Sequence, residues 1–150
     1  NVSRIEAVLF LYFIALLARA IYRLVSSRDP AERRRGKLLV EARRELAAAQ
    51  KAVDEGKAGD CFAALSRALP LFVEARFAMS VGSKTLPEVE AALVDAGVSA
   101  ELAARTRQEM ESAEFGRFAP STILSKDARD AVERSRELVA QLQKVRVKKP

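Results

Sequence analysis

The chain has no histidine, no tryptophan and a single cysteine, Cys61. Without histidine there is no Ser-His-Asp or Cys-His nucleophile system. Imidazole metal sites and the usual proton shuttle near neutral pH are excluded as well. One cysteine excludes a disulfide framework and a thiolate zinc site. With six Gly and five Pro in 150 residues, collagen-like and linker compositions are excluded too. No strand pattern, glycine-rich phosphate loop or internal repeat stands out. Asp54/Glu55 and Glu109/Glu111 are neighbouring acids on different helix faces and read as solvated, not catalytic. What the chain does have is 49% hydrophobic residues and 26 basic against 20 acidic side chains, a formal charge of +6. Both are unevenly spread. The length suits one compact domain and little more. The chain opens on Asn1 and not on Met, as expected of a processed product or a piece of a longer protein.

From Ala7 to Val25 every residue except Arg19 and Arg23 is apolar. As a helix this stretch reaches roughly 28 Å, close to the thickness of a bilayer core. The charge-free part, Ala7 to Ala18, is shorter and would by itself suit a buried core helix. Arg19 and Arg23, one turn apart, can extend to headgroups while Ala20, Ile21 and Leu24 stay in lipid. Tyr22 suits the interface. We therefore expect residues 1–28 to hold a transmembrane helix with its flanks, with Ala7, Phe10, Phe13, Leu17, Ile21 and Val25 in the bilayer. A signal peptide competes with this reading, because Ala18-Arg19-Ala20 resembles a small-residue cleavage site. Neither a Met nor a basic region precedes the apolar run, however.

Between Arg19 and Lys37 there are seven basic and two acidic residues. The cluster Arg28, Arg33, Arg34, Arg35 and Lys37 lies on the C-terminal side of the apolar run. This is the positive-inside pattern and points to an outside N-terminus and a cytoplasmic C-terminus. The cluster suits lipid headgroups or an acidic partner, and a solvated helix face is the plainer alternative. Nucleic acid is not expected: acids interrupt the cluster and no aromatic residue nearby could stack on bases.

Residues 29–150 read as a cytoplasmic helical domain. Its centre, 61–120, carries six basic and eight acidic residues, while 121–150 carries eight and four. Asp29-Pro30-Ala31-Glu32 is a helix start. Leu39, Ala42, Leu46, Ala49 and Val53 follow as one apolar seam, and Gly56 and Gly59 end the helix. Asp60 is expected to cap a second helix with Phe62, Leu65, Leu69, Phe72 and Val73 inward and Pro70 kinking or splitting it. Cys61 reads as a small buried apolar residue. Val81-Gly82-Ser83-Lys84 reads as a loop. Thr85-Leu86-Pro87-Glu88 is a capping box that opens a short helix ended by Gly97. Ser99 caps the next helix, where Leu102, Thr106, Met110 and Ala113 form a stripe and Phe115 and Phe118 close the core around Gly116. Pro120 punctuates. A last helix starting near Ser121 or Ser125 carries a seam of Leu124, Ala128, Ala131, Ser135, Leu138, Leu142 and Val145, which matches the first cytoplasmic helix well enough to pack on it. The tail from Lys144 to Pro150 is expected to fray or meet lipid.

This order of segments resembles the C-terminal region of the BatD (Bacteroides aerotolerance, oxygen tolerance) family. The resemblance rests on the apolar helix, the Arg-rich stretch and the Ala/Glu/Arg helix, followed by three motifs. These are Gly59-Asp60-Cys61-Phe62-Ala63-Ala64-Leu65-Ser66-Arg67-Ala68-Leu69, Thr85-Leu86-Pro87-Glu88-Val89-Glu90-Ala91-Ala92-Leu93 with Ala96-Gly97-Val98, and Phe115-Gly116-Arg117-Phe118-Ala119-Pro120. Pro70 departs from the family pattern. The resemblance implies an inner-membrane protein with periplasmic β-sandwich domains upstream of Asn1. It also implies membrane partners like BatA and BatB, which carry von Willebrand factor A domains, and a MoxR-type AAA+ ATPase. It carries over no catalytic residue.

The resulting expectation is an all-α chain, with a single transmembrane helix followed by a cytoplasmic bundle of about five helices. It is a non-enzymatic interaction subunit of a hetero-oligomeric bacterial inner-membrane complex linked to oxygen or stress tolerance, with no cofactor and no metal. Its contact surfaces are the basic cluster and the helix seams at Leu39, Leu46, Val53, Leu138 and Leu142. Two alternatives are a tetratricopeptide-like scaffold, for which only one hairpin-like unit (30–80) is found, and an anchor subunit of an enzyme complex.

Overall fold

The computed structural model describes residues 2–26, 29–118 and 125–148. Among them it contains six helices and no strand: α1 (Val2–Ser26), α2 (Pro30–Asp54), α3 (Ala58–Phe77), α4 (Leu86–Asp95), α5 (Ala100–Phe118) and α6 (Ser125–Lys144). The chain is all-α, and it divides into two compact units, Asn1–Arg33 and Arg34–Pro150. In the first unit, α1 is a helix whose described side chains are all exposed. From Ser3 to Ser26 it is long and apolar enough to cross a membrane.

In the second unit α3 is the central element. Cys61, Phe62, Ala64, Leu65, Ala68, Leu69, Phe72 and Val73 are all buried and form a wide apolar face, with Asp60 and Arg67 exposed on the opposite side. Such a helix must be enclosed by others. α5 packs along it, α4 packs on α5, and α6 packs on both α3 and α5. α2 contributes Ala42, Ala49 and Val53, with Leu39 and Leu46 half-buried against the same core. The seam of α6 is buried at Ala128, Ala131, Ser135, Leu138 and Leu142, while Leu124 and Pro120 lie outside the described residues. Ala42 and Leu46 of α2, Leu69 and Phe72 of α3 and Val139 of α6 line a small apolar crevice. The helix neighbours are also tied at their edges by ion pairs: Glu45 to Arg67 at 3.1 Å (α2–α3), Glu90 to Arg107 (α4–α5) and Glu109 to Arg134 at 2.7 Å (α5–α6).

The helix ends follow local chemistry. The Asp29 Oδ1 accepts from the Ala31 amide, one of the donors left free at a helix start. The capping box at α4 is complete: the Thr85 amide donates to the Glu88 carboxylate at 2.8 Å and the Glu88 amide to the Thr85 hydroxyl at 3.4 Å. The Leu102 amide donates to the Ser99 hydroxyl at the start of α5. α2 and α4 end alike. Gly56 (φ 73°) and Gly97 (φ 106°) take the left-handed conformation, and the next residue's amide reaches back to Ala52 and Leu93 respectively. This closes the free carbonyls of the last turn.

Four expectations are corrected. Asp60 is not a cap. α3 begins at Ala58, so Gly59 and Asp60 lie in its first turn, where an acid suits the positive helix end. Pro70 does not split the helix, which runs unbroken to Phe77. Phe115 and Phe118 do not close the core. They are 70% and 76% exposed, and buried Gly116 takes the inward position on that side of α5. A Cβ at Gly116 would stand 2.4 Å from ring atoms of Phe62, so the absent side chain is what lets α5 approach α3. Finally, the tail docks as far as it is described. The Lys148 amide donates to the Ala96 carbonyl at 2.9 Å, Arg76 Nη2 donates to the Val145 carbonyl at 2.6 Å, and Val145 and Val147 pack against the core.

Gly116→Ala should destabilise the helical domain by about 1–3 kcal/mol. Overpacking against the buried Phe62 outweighs the helix-propensity gain of roughly 1 kcal/mol. Chemical denaturation of the two proteins measures this, and an unchanged or raised stability would contradict the close α3–α5 contact.

Candidate functional site

The expected sites fall in three places. The residues assigned to the bilayer, Ala7, Phe10, Phe13, Leu17, Ile21 and Val25, are all exposed on α1, Phe10 at 66% and Leu17 at 52%. In the basic cluster Arg33, Arg34 and Lys37 are exposed and Arg35 is half-buried in the first turns of α2, while Arg28 lies outside the described residues. None of Arg34, Arg35 and Lys37 has a carboxylate partner among the described residues. The helix seams are spent inside the chain. Val53, Leu138 and Leu142 are buried and Leu39 and Leu46 are half-buried against the same core, so they are not open to a partner helix.

A feature not anticipated from the sequence is a cleft of about 450 Å³ beside α3. Pro70, Val81, Leu86 and Met110 supply apolar walls, and Glu74, Lys84 and Glu114 supply charge. Pro70 has no amide hydrogen to give the Ser66 carbonyl one turn back, and the Ser66 hydroxyl donates to the Ala63 carbonyl at 2.7 Å. One Glu74 oxygen accepts from the Val81 amide at 3.0 Å and pins the α3–α4 loop over the cleft. The only sequence signal for this place was the proline inside an otherwise regular apolar pattern.

Among the described residues no group of three or more Cys, Asp or Glu side chains could hold a metal ion. Cys61 is fully buried, and burial pushes its thiol up to about 11. It is therefore protonated at neutral pH, with its Sγ 3.8 Å from the Ala128 carbonyl, and it lacks the thiolate that a nucleophile needs. No family model, no curated protein and no solved structure matches this chain.

Two outcomes are expected. Pro70→Ala should stabilise the domain by about 1–3 kcal/mol, because it restores a helix-interior amide donor. Thermal denaturation reads the change, and a loss of stability would show that the ring itself packs productively. For Cys61, the folded-state pKa lies above the ordinary value of 9.0. Its contribution to stability is therefore whole below pH 9 and falls away as the pH rises to about 11. Cys61→Ala should flatten that decline in a pH series of melting curves. The native thiol should resist alkylation near neutral pH until the domain unfolds.

Proposed function

We propose that this chain is a non-enzymatic, single-pass membrane protein whose helical domain works as an interaction module in the cytoplasm. The observation that carries the reading is α1, a helix of spanning length whose described side chains are all exposed. An apolar surface of this extent costs too much in water to be left bare, and a bilayer is the solvent that suits its length. The basic residues that follow it support a cytoplasmic C-terminal side. The remaining chain supports binding over chemistry. It offers a helical bundle with capped helices and a cleft of mixed character, and its one cysteine is buried with its thiol pushed up to about 11.

The finer reading follows the resemblance to BatD tails. In it the domain belongs to a bacterial inner-membrane complex with BatA- and BatB-like proteins and a MoxR-type AAA+ ATPase, and it couples a periplasmic part to these partners. The order of the segments from the apolar helix to the final helix supports this reading. Any ATPase activity then resides in the partner.

The test is made in bacterial cells. The full chain should sediment with membranes and resist alkaline extraction, whereas a chain beginning at Asp29 should stay soluble. A fluorescent protein fused after Pro150 should fold, and alkaline phosphatase at the same position should be inactive. The opposite reporter pattern, or membrane retention of the shortened chain that resists alkaline extraction, would overturn the topology. Crosslinked partners should include an AAA+ ATPase, and mutating its nucleotide-binding lysine should abolish the activity of the isolated complex. Activity that survives would refute the assignment of chemistry to the partner.

A further inference from the structure

We infer that the first two turns of α2 form a binding surface for anionic lipid headgroups, which rests on the reading of α1 as a spanning helix. Arg33, Arg34, Arg35 and Lys37 crowd the N-terminal end of this helix, against Glu32 and the capping Asp29. A helix N-terminus already carries partial positive charge, so cations there work against the helix and do not stabilise it. Elsewhere in the domain, cations at helix contacts are matched: Arg67, Arg107 and Arg134 each pair with a carboxylate of a neighbouring helix. Arg34, Arg35 and Lys37 have no such partner among the described residues, and Arg34 and Lys37 are fully exposed. Arg34, Arg35 and Lys37 are therefore a concentration of charge that no described carboxylate neutralises. Phosphate groups of an anionic leaflet are the complementary surface.

The chain's connectivity supplies the second argument. Only residues 27–29 separate the end of α1 at Ser26 from Pro30, which limits the gap to about 14 Å even when fully extended. The turns from Pro30 to Lys37 add roughly 12 Å. With α1 in a bilayer, these cations cannot leave the neighbourhood of one leaflet's surface. Screening weakens the attraction over about 8 Å at physiological ionic strength, so it holds only while these turns lie against the headgroups. The lipid then supplies the counter-charge at the positive end of α2 and orders its exposed first half.

Amide hydrogen exchange on the full chain, reconstituted in two kinds of vesicle, tests this. One is pure phosphatidylcholine and the other is phosphatidylcholine mixed with phosphatidylglycerol. Amides of α2 from Arg33 to Glu41 should exchange about tenfold more slowly in the anionic vesicles, as expected for one to two effective charge contacts. Raised salt should remove the difference. The triple variant Arg34→Gln, Arg35→Gln, Lys37→Gln should also lose it, while α3 remains as protected as before. Equal exchange in both vesicles with α1 protected overturns the lipid surface and leaves the spanning helix standing. An unprotected α1 in both vesicles overturns the spanning helix itself. Protection in phosphatidylcholine vesicles given free inorganic phosphate, equal to that in anionic vesicles, overturns the assignment to lipid.

Discussion

The helical unit depends on one constraint, which is that α3 presents a wide apolar face that other helices must cover. Buried residues from Cys61 to Phe77 face every direction in which another helix lies. Removing that much apolar surface from water is the dominant favourable term available to a domain of this size. Each surrounding helix can then be amphipathic, and their outer rims can carry the ion pairs that link neighbours. Those pairs add little stability, because most of their members are substantially exposed. They fit best as a means of choosing which helix lies beside which. The closest approach, Gly116 against Phe62, is where the packing leaves no tolerance at all.

The same composition has two outcomes in this chain. α1 and α3 are both rich in Leu, Phe and Ala, yet α3 is enclosed by protein and α1 is not. The difference lies in what surrounds each segment. α3 is followed by elements that present apolar stripes to it. α1 is followed by a run of arginine that no core would accept. The proposed role, a spanning helix joined to a helical module, rests on this division.

Much of the fold could be read from local pattern. The capping box at Thr85 and Glu88, the glycine stops at Gly56 and Gly97 and the seams of α2 and α6 all depend on residues within one or two turns. Single-sequence reasoning handles that range well. The errors came where distant partners decide. Phe115 and Phe118 looked like core residues, but α5 turns Gly116 inward because Phe62, more than fifty residues earlier, needs the space. Pro70 was expected to kink or split the helix, and it does not split it, because burial on both sides outweighs one lost hydrogen bond. The charged tail looked free, but Arg76 and Ala96 hold it through backbone atoms, which leave no mark on side-chain pattern. The cleft beside Pro70 was invisible for the same reason, since its walls come from α3, the α3–α4 loop and α5.

The docked tail has a consequence for how the molecule is made. Arg76 and the Ala96 carbonyl receive their partners from residues 145–148. These contacts therefore form only after translation has passed that point. α1, by contrast, leaves the ribosome long before. On the reading of α1 as a spanning helix, synthesis would present it to the membrane while the rest is still an open chain. An aggregation-prone apolar helix would then reach lipid before there is a finished domain for it to disturb.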